Sequence, residues 1–254
     1  MSRLSANANY LRSVFKDFSK KIRLLPFPRQ RIPANSAQIL NEARTNYAAA
    51  TQISTADIPS FGKRWGSFQT EMAAHIARFG DVGEVIIHGQ TKVNFDHRSP
   101  VTVKNFEWMA AAEHLLRYDF PEFSAYIDDL EDVTLSTPGT VIRRKVKGRY
   151  RLTSHIIYFH AMHILRALSF DRSISSVCEI GGGNGNVARL WLTNSISKLD
   201  TYCIVDIAES LFFSECFLRA ALPDAFGFGE RWRGGDDLGH RAAPSTRIRG
   251  LRMA

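Results

Sequence analysis

The sequence predicts an α/β protein in which a mainly helical N-terminal region precedes a parallel sheet. Three observations point there. Residues 176–223 read as strand, glycine loop, helix, strand and helix within about 50 residues, the extent of a parallel βαβ unit with its following helix. Residues 35–150 carry apolar positions mostly at helical spacing. The chain has 254 residues, 44% hydrophobic and 23% charged, enough to bury a full core, which excludes collagen-like, wholly disordered and disulfide-stapled classes.

Residues 1–34 read as a basic, flexible arm. Arg3, Arg12, Lys16, Lys20, Lys21, Arg23, Arg29 and Arg31 are opposed only by Asp17. That composition fits a solvated tail, an organellar transit peptide, or a surface for an anionic partner. Residues 35–150 then read as a helical region. Asn35 and Gln38 stand at capping-box spacing before a helix over 39–50. The stretch 67–79 puts Phe68, Met72, Ile76 and Phe79 on one helical face, with Gly80 placed for a left-handed cap. Residues 84–88 read as a short strand. A helix over 103–118 is apolar at Phe106, Met109, Ala110 and Leu115, and Pro121 opens another over 122–130. Pro138 and Gly139 mark a turn. A second basic cluster, Arg143, Arg144, Lys145, Lys147, Arg149 and Arg151, precedes a nearly all-apolar helix over 152–169.

The informative stretch is 151–223. Val177, Cys178, Glu179 and Ile180 read as a buried strand, residues 181–185 (Gly-Gly-Gly-Asn-Gly) as a tight loop, and 186–193 as a helix packing Val187, Leu190 and Trp191. A second buried strand over 201–205 ends at Asp206, and a helix over 209–222 is stopped by Pro223. A dinucleotide fingerprint would need glycine at 186, where Asn186 stands, and no Walker lysine follows the loop. What is present is Glu179-x-Gly181-x-Gly183-x-Gly185. Glycines allow sharp turning and close approach to a ligand, and the following helix offers unpaired N–H groups. An acid directly before such a loop repels pyrophosphate but suits an ammonium or sulfonium group. Asp206, 21 residues after Gly185, stands where a carboxylate can accept from both ribose hydroxyls. Together the two acids fit a nucleoside with a cationic tail and no phosphate.

At these residues the chain resembles the class I S-adenosylmethionine-dependent methyltransferases, a Rossmann-like fold, with Glu179 to Gly185 matching their first motif and Asp206 their second. Residues 177–223, including the run 202–210 (Tyr-Cys-Ile-Val-Asp-Ile-Ala-Glu-Ser) and 217–223 (Phe-Leu-Arg-Ala-Ala-Leu-Pro), look like the bacterial sugar O-methyltransferases. The helical stretch from about 65 to 169 is compatible with that family's N-terminal region. The resemblance implies S-adenosyl-L-methionine as cofactor, bound by Glu179, Gly181, Gly182, Gly183, Gly185 and Asp206. It implies methyl transfer to a hydroxyl of a small-molecule or glycan acceptor. It assigns no catalytic residue. The loop alone is also compatible with a flavodoxin-like or other Rossmann-like fold binding something else. In the family more strands follow Asp206, whereas here 48 residues remain and residues 224–254 are rich in arginine and glycine. An irregular tail, a partial catalytic domain and little turnover are therefore expected. The contrasting expectation is a non-catalytic, basic interaction protein using residues 1–33 and 143–151.

His155, His160 and His163 lie on one apolar helix. They read as packing residues, with a metal pair at His160 and His163 or a base among them as the sharper options. Trp108 and Trp191 fall on apolar stripes and are expected in the core, whereas Trp65 and Trp232 are open to stacking on a sugar or adenine. Cys178, Cys203 and Cys216 form no C-x-x-C pair and read as buried thiols in a reducing, cytoplasmic setting. The most apolar stretch is broken by those three histidines and Arg166, so no membrane span is expected. Aromatics are not interleaved with the cations, which argues against nucleic acid. The oligomeric state is not written in the sequence.

Overall fold

A computed structural model describes residues 33–52, 63–89, 103–133, 140–193 and 196–223, the strands Ile22–Pro26 and Leu251–Met253, and residues 13, 16 and 17. In chain order the elements are β1 (Ile22–Pro26), α1 (Ser36–Gln52), α2 (Lys63–Ile76), α3 (Val82–His88), α4 (Val103–Asp119), α5 (Ser124–Asp129), β2 (Thr140–Val146), β3 (Arg149–Thr153), α6 (His155–Phe170), β4 (Ser176–Ile180), α7 (Asn186–Thr193), β5 (Thr201–Val205), α8 (Ala208–Ala221) and β6 (Leu251–Met253). Among the described residues, helices and two three-stranded sheets make a mixed α/β fold, and no helix is long and apolar enough to cross a membrane. The chain divides into two compact units.

The first unit comprises Met1–Gln30, Asp96–Ser173 and Thr193–Ser197. Its sheet is antiparallel in the order β1-β2-β3, with α4 packed on α6 and α5. The basic cluster at 143–151 forms a hairpin because Lys147 and Gly148 adopt φ of 47° and 84°, the paired positive values that a two-residue hairpin turn needs. β1 belongs to the arm expected to be flexible, yet it pairs along its length with β2, from Ile22 opposite Arg144 to Pro26 opposite Thr140. Pro26 is tolerated because it ends an edge strand, where a missing N–H costs the ladder little. Deleting residues 1–33 is therefore expected to lower the melting temperature. Each kcal/mol lost moves it by about 4–8 °C in a domain of this size. An unchanged melting curve would show that β1 adds no stability.

The core of this unit is Met109, Ala110, Leu116, Phe123, Ile127, Ile157, Tyr158, Ile164, Leu165 and Leu168. Two expectations fail on α4. Leu115 and Trp108 face outward, Trp108 at 56% exposure, because the buried stripe runs through Met109, Glu113 and Leu116 and so includes a carboxylate. The side chain of Phe106 lies outside the described residues. The apolar helix starts at His155, three residues later than its composition suggests. Leu152 and Thr153 finish β3, and the Ser154 hydroxyl accepts from the Ile157 N–H as the N-cap. Pro121 opens a 3₁₀ turn, Pro121–Phe123, before α5.

The second unit comprises Arg31–Phe95, Ile174–Leu192 and Lys198–Ala254. Here α1, α2 and α3 pack against α8, in which every residue from Glu209 to Ala220 is buried. The charged members of α8 find partners within the unit. Glu215 accepts from Asn46 at 2.9 Å and from Arg219 at 2.8 Å, and Arg219 also donates to Glu42 at 2.8 Å. Glu209 accepts from Tyr47, whose hydroxyl burial and that carboxylate push up to about 12, and from Gln69.

The segment expected as a strand at 84–88 is the helix α3. Asp81 accepts the Glu84 N–H at 2.9 Å while Glu84 reaches back to the Gly80 N–H at 2.7 Å, a reciprocal cap that outweighs the β-branched composition. Gly80 is engaged there, and α2 ends at Ile76 without a left-handed glycine. Gln38 bonds Glu42 in the next turn of α1. The sheet is parallel in the order β4-β5-β6. Its third strand, Leu251–Met253, lies within the tail expected to be irregular; residues 224–250 and the turn at Pro138 and Gly139 lie outside the described residues.

Candidate functional site

The site sits at the carboxyl ends of β4 and β5, where a ligand of an open parallel sheet is expected. Register places it there: Glu179 pairs with Ile204 and Ile180 with Val205, so the loop leaving β4 starts beside the end of β5. The Gly181 N–H donates to the Val205 carbonyl at 2.8 Å, which ties the first loop residue to the neighbouring strand. The chain then reverses through Gly181, Gly183 and Gly185 at φ of 77°, 56° and 84°. The alternating glycines of the motif are thus the three left-handed positions of the turn, a conformation costly for residues with a Cβ.

Gly182 is required for space instead. A Cβ there would stand 2.6 Å from Cγ2 of Ile204 and 3.4 Å from the Glu179 carboxyl. At Gly185 a Cβ would meet Leu218 of α8 at 3.0 Å, so this glycine is fixed by both conformation and packing.

Asp206 closes the turn. Its Oδ2 accepts the Gly183 N–H at 3.0 Å and its Oδ1 accepts the Ile207 N–H at 2.8 Å. The carboxylate expected to hold a ribose therefore also holds the glycine loop. On the other side the Ser214 hydroxyl of α8 donates to the Gly183 carbonyl at 2.6 Å.

Glu179 is half-buried beside Gly182 and accepts from the Tyr202 hydroxyl at 2.8 Å. Burial pushes its carboxyl above the ordinary range, the Tyr202 hydrogen bond pulls it partly back, and the nearby Asp206 charge raises it again. Tyr202 is itself driven far upward by burial and by Glu179, and stays a donor. The structure thus brings together Glu179, Gly181, Gly182, Gly183, Gly185 and Asp206.

Sequence reasoning missed Tyr202, Ser214 and Asn184. Tyr202 was findable, since a strand period of two places Val177 and Glu179 with Tyr202 and Ile204 on one sheet face. Ser214 depends on how α8 packs, which no local signal reveals. Asn184 is 2% exposed; its Oδ1 accepts the Asn186 N–H at 3.2 Å, and its Nδ2 has no hydrogen-bond partner among the described residues.

The other candidates stand apart. His160 is half-buried and His163 exposed beside Phe159, while the side chain of His155 lies outside the described residues. Among the described residues no group of three or more His, Cys, Asp or Glu is placed to hold a metal. Trp191 is buried as expected, whereas Trp65 and Trp232 lie outside the side chains described. Cys216 is buried, but Cys178 is exposed and Cys203 only half-buried, because one face of the β4–β5 pair is open. No family model, curated protein or solved structure matches the chain.

Proposed function

We propose that the glycine loop between β4 and α7 binds S-adenosyl-L-methionine and that the chain serves methyl transfer to a sugar hydroxyl on a small-molecule or glycan acceptor. The observation that carries this reading is the convergence of two carboxylates from adjacent parallel strands on one glycine turn. Two further features fit the cofactor. The turn presents a face on which a Cβ at Gly181 would meet nothing within 4 Å, and Asn184 carries a buried amide donor awaiting an acceptor.

In this reading Asp206 takes the ribose. A carboxylate has about four lone-pair sites, and two are used by Gly183 and Ile207. Glu179, held by Tyr202, takes the ammonium group. The cofactor supplies an electrophilic sulfonium methyl, so the protein's task is alignment of the incoming hydroxyl. Transfer of labelled methyl to a panel of sugars and glycans reads the acceptor class. Cofactor binding with no transfer to any sugar would overturn the sugar assignment alone.

The Glu179 environment gives this reading a pH signature. Burial and Asp206 raise its carboxyl, so the protonated form persists above the ordinary carboxylate range near 4.5. An ammonium ligand needs the ionised form. Affinity is therefore expected to fall as pH drops through the raised value, with a proton released on binding in that window. Calorimetry at about pH 5 and about pH 7.5, in buffers of different ionisation heat, measures both effects. Equal affinity at both values, with no proton released, would remove Glu179 from the ligand contact.

The interaction-protein reading finds less support. Within the basic hairpin, Arg144 pairs with Glu113, Lys147 with Asp128, and Arg151 with Asp129 and Glu131. Half of the cluster's cations are thus engaged within their own unit.

A further inference from the structure

Ser214 stands in the middle of α8, fully buried. A serine or threonine inside a helix ordinarily turns its hydroxyl onto a carbonyl of the preceding turn, and Thr45, Thr51, Thr70 and Ser169 do so here, three or four residues back. Ser214 instead reaches out of its helix to the Gly183 carbonyl at 2.6 Å. Asp206 takes the other polar group of the same residue, the Gly183 N–H, at 3.0 Å. Gly183 is thus held on both sides, by the end of β5 and by α8, at a φ of 56°. We propose that Ser214 is a positioning residue of the cofactor loop, which together with Asp206 clamps Gly183 in the binding geometry before the ligand arrives. This inference rests on the cofactor reading above.

The clamp answers a cost of the motif itself. Glycine populates positive and negative φ about equally, so the freedom that lets the loop turn also lets its peptides rotate. The neighbouring carbonyls take backbone donors: Gly182 accepts from the Gly185 N–H and Gly185 from the Arg189 N–H, each at 2.9 Å. The Gly183 carbonyl takes a side chain. Its orientation reaches the ligand through Asp206, because the Gly183 N–H is one of the two bonds that aim that carboxylate.

The donor is also well supported. Helices hold a contact more precisely than loops do, and α8 is docked on α1 by Glu215 to Asn46 at 2.9 Å and Arg219 to Glu42 at 2.8 Å. Phe213, next to Ser214, stacks on His88 with ring centroids 5.9 Å apart.

The test pairs residue-level amide hydrogen exchange on the ligand-free full chain with calorimetry of S-adenosylmethionine, for wild type, Ser214→Ala and Ser214→Cys. In Ser214→Ala the Gly183 amide should exchange about tenfold faster while the α8 amides keep wild-type protection. Cofactor affinity should fall roughly 3- to 10-fold, the worth of one hydrogen bond. Ser214→Cys, similar in shape but a weak donor, should follow Ser214→Ala, which separates the bond from the packing. Added to Asp206→Ala, which already frees the Gly183 N–H, Ser214→Ala should cost less than it does alone, since both act through one residue. Wild-type exchange at Gly183 in Ser214→Ala, faster exchange spread along α8, wild-type behaviour of Ser214→Cys, or fully additive affinity losses would overturn the proposal. Should the wild type bind no S-adenosylmethionine, the cofactor reading fails, and exchange at Gly183 alone then decides whether Ser214 holds the loop.

Discussion

Replacing Glu113 by alanine is expected to destabilise the first unit by about 3–5 kcal/mol, the cost of leaving a buried charge without its partner. Glu113 projects from α4 into the core, where its Oε1 meets Arg144 at 2.7 Å and Arg117 at 2.9 Å, and its Oε2 accepts from Tyr158 at 3.3 Å. Arg144 is 2% exposed and also donates to the Ile127 carbonyl at 2.9 Å. Water cannot reach it to replace the lost carboxylate. Tyr158, which accepts from Thr153, has its hydroxyl driven far upward by burial and by Glu113, and would lose an acceptor in the same stroke. Arg117 would keep Asp128 at 2.6 Å, so the damage centres on Arg144. Denaturant unfolding followed by a probe in this unit measures the loss. Glu113→Gln should recover part of it through neutral hydrogen bonds, and Glu113→Leu combined with Arg144→Met should come close to wild type, since apolar replacement of a buried pair is often neutral. A loss below about 1 kcal/mol in Glu113→Ala would mean that the network is hydrated and of the strength of a surface pair.

How much of this was legible in the sequence depends on how local the cause is. From 176 to 223 the element limits agree with expectation to within a residue, because strand period, glycine loop and helix stop act over a few neighbours. The glycine spacing was legible for the same reason, as each left-handed residue follows from its own φ. The hairpin at Lys147 and Gly148 was not read, because six cations in nine residues look like a solvated face. Only pairing with β1 and the contact of Arg144 with Glu113 explain a buried arginine in the central strand. The α3 helix was misread as a strand because β-branched residues outvoted a reciprocal cap at Asp81 and Glu84. Trp108 and Leu115 were misplaced because the stripe that packs includes the polar Glu113. Non-local partners decide each of these cases except α3, where the deciding signal was local and overlooked.

Asp206→Ala is expected to weaken S-adenosylmethionine binding by about 1.5–3 kcal/mol, roughly 10- to 150-fold, because a charged acceptor is lost. The turn itself should loosen as well, since the Gly183 and Ile207 N–H groups both donate to that carboxylate. Asp206→Asn is the intermediate case: its single amide oxygen can keep one of the two loop N–H bonds, and the charged bond to a ribose hydroxyl is gone. The most direct measurement is calorimetry of S-adenosylmethionine and its demethylated product on the full chain and on these two variants. The account predicts saturable one-to-one binding by the wild type, a clear loss in Asp206→Asn, and a larger loss in Asp206→Ala. Absence of binding by the wild type, or binding equal in all three proteins, would contradict it.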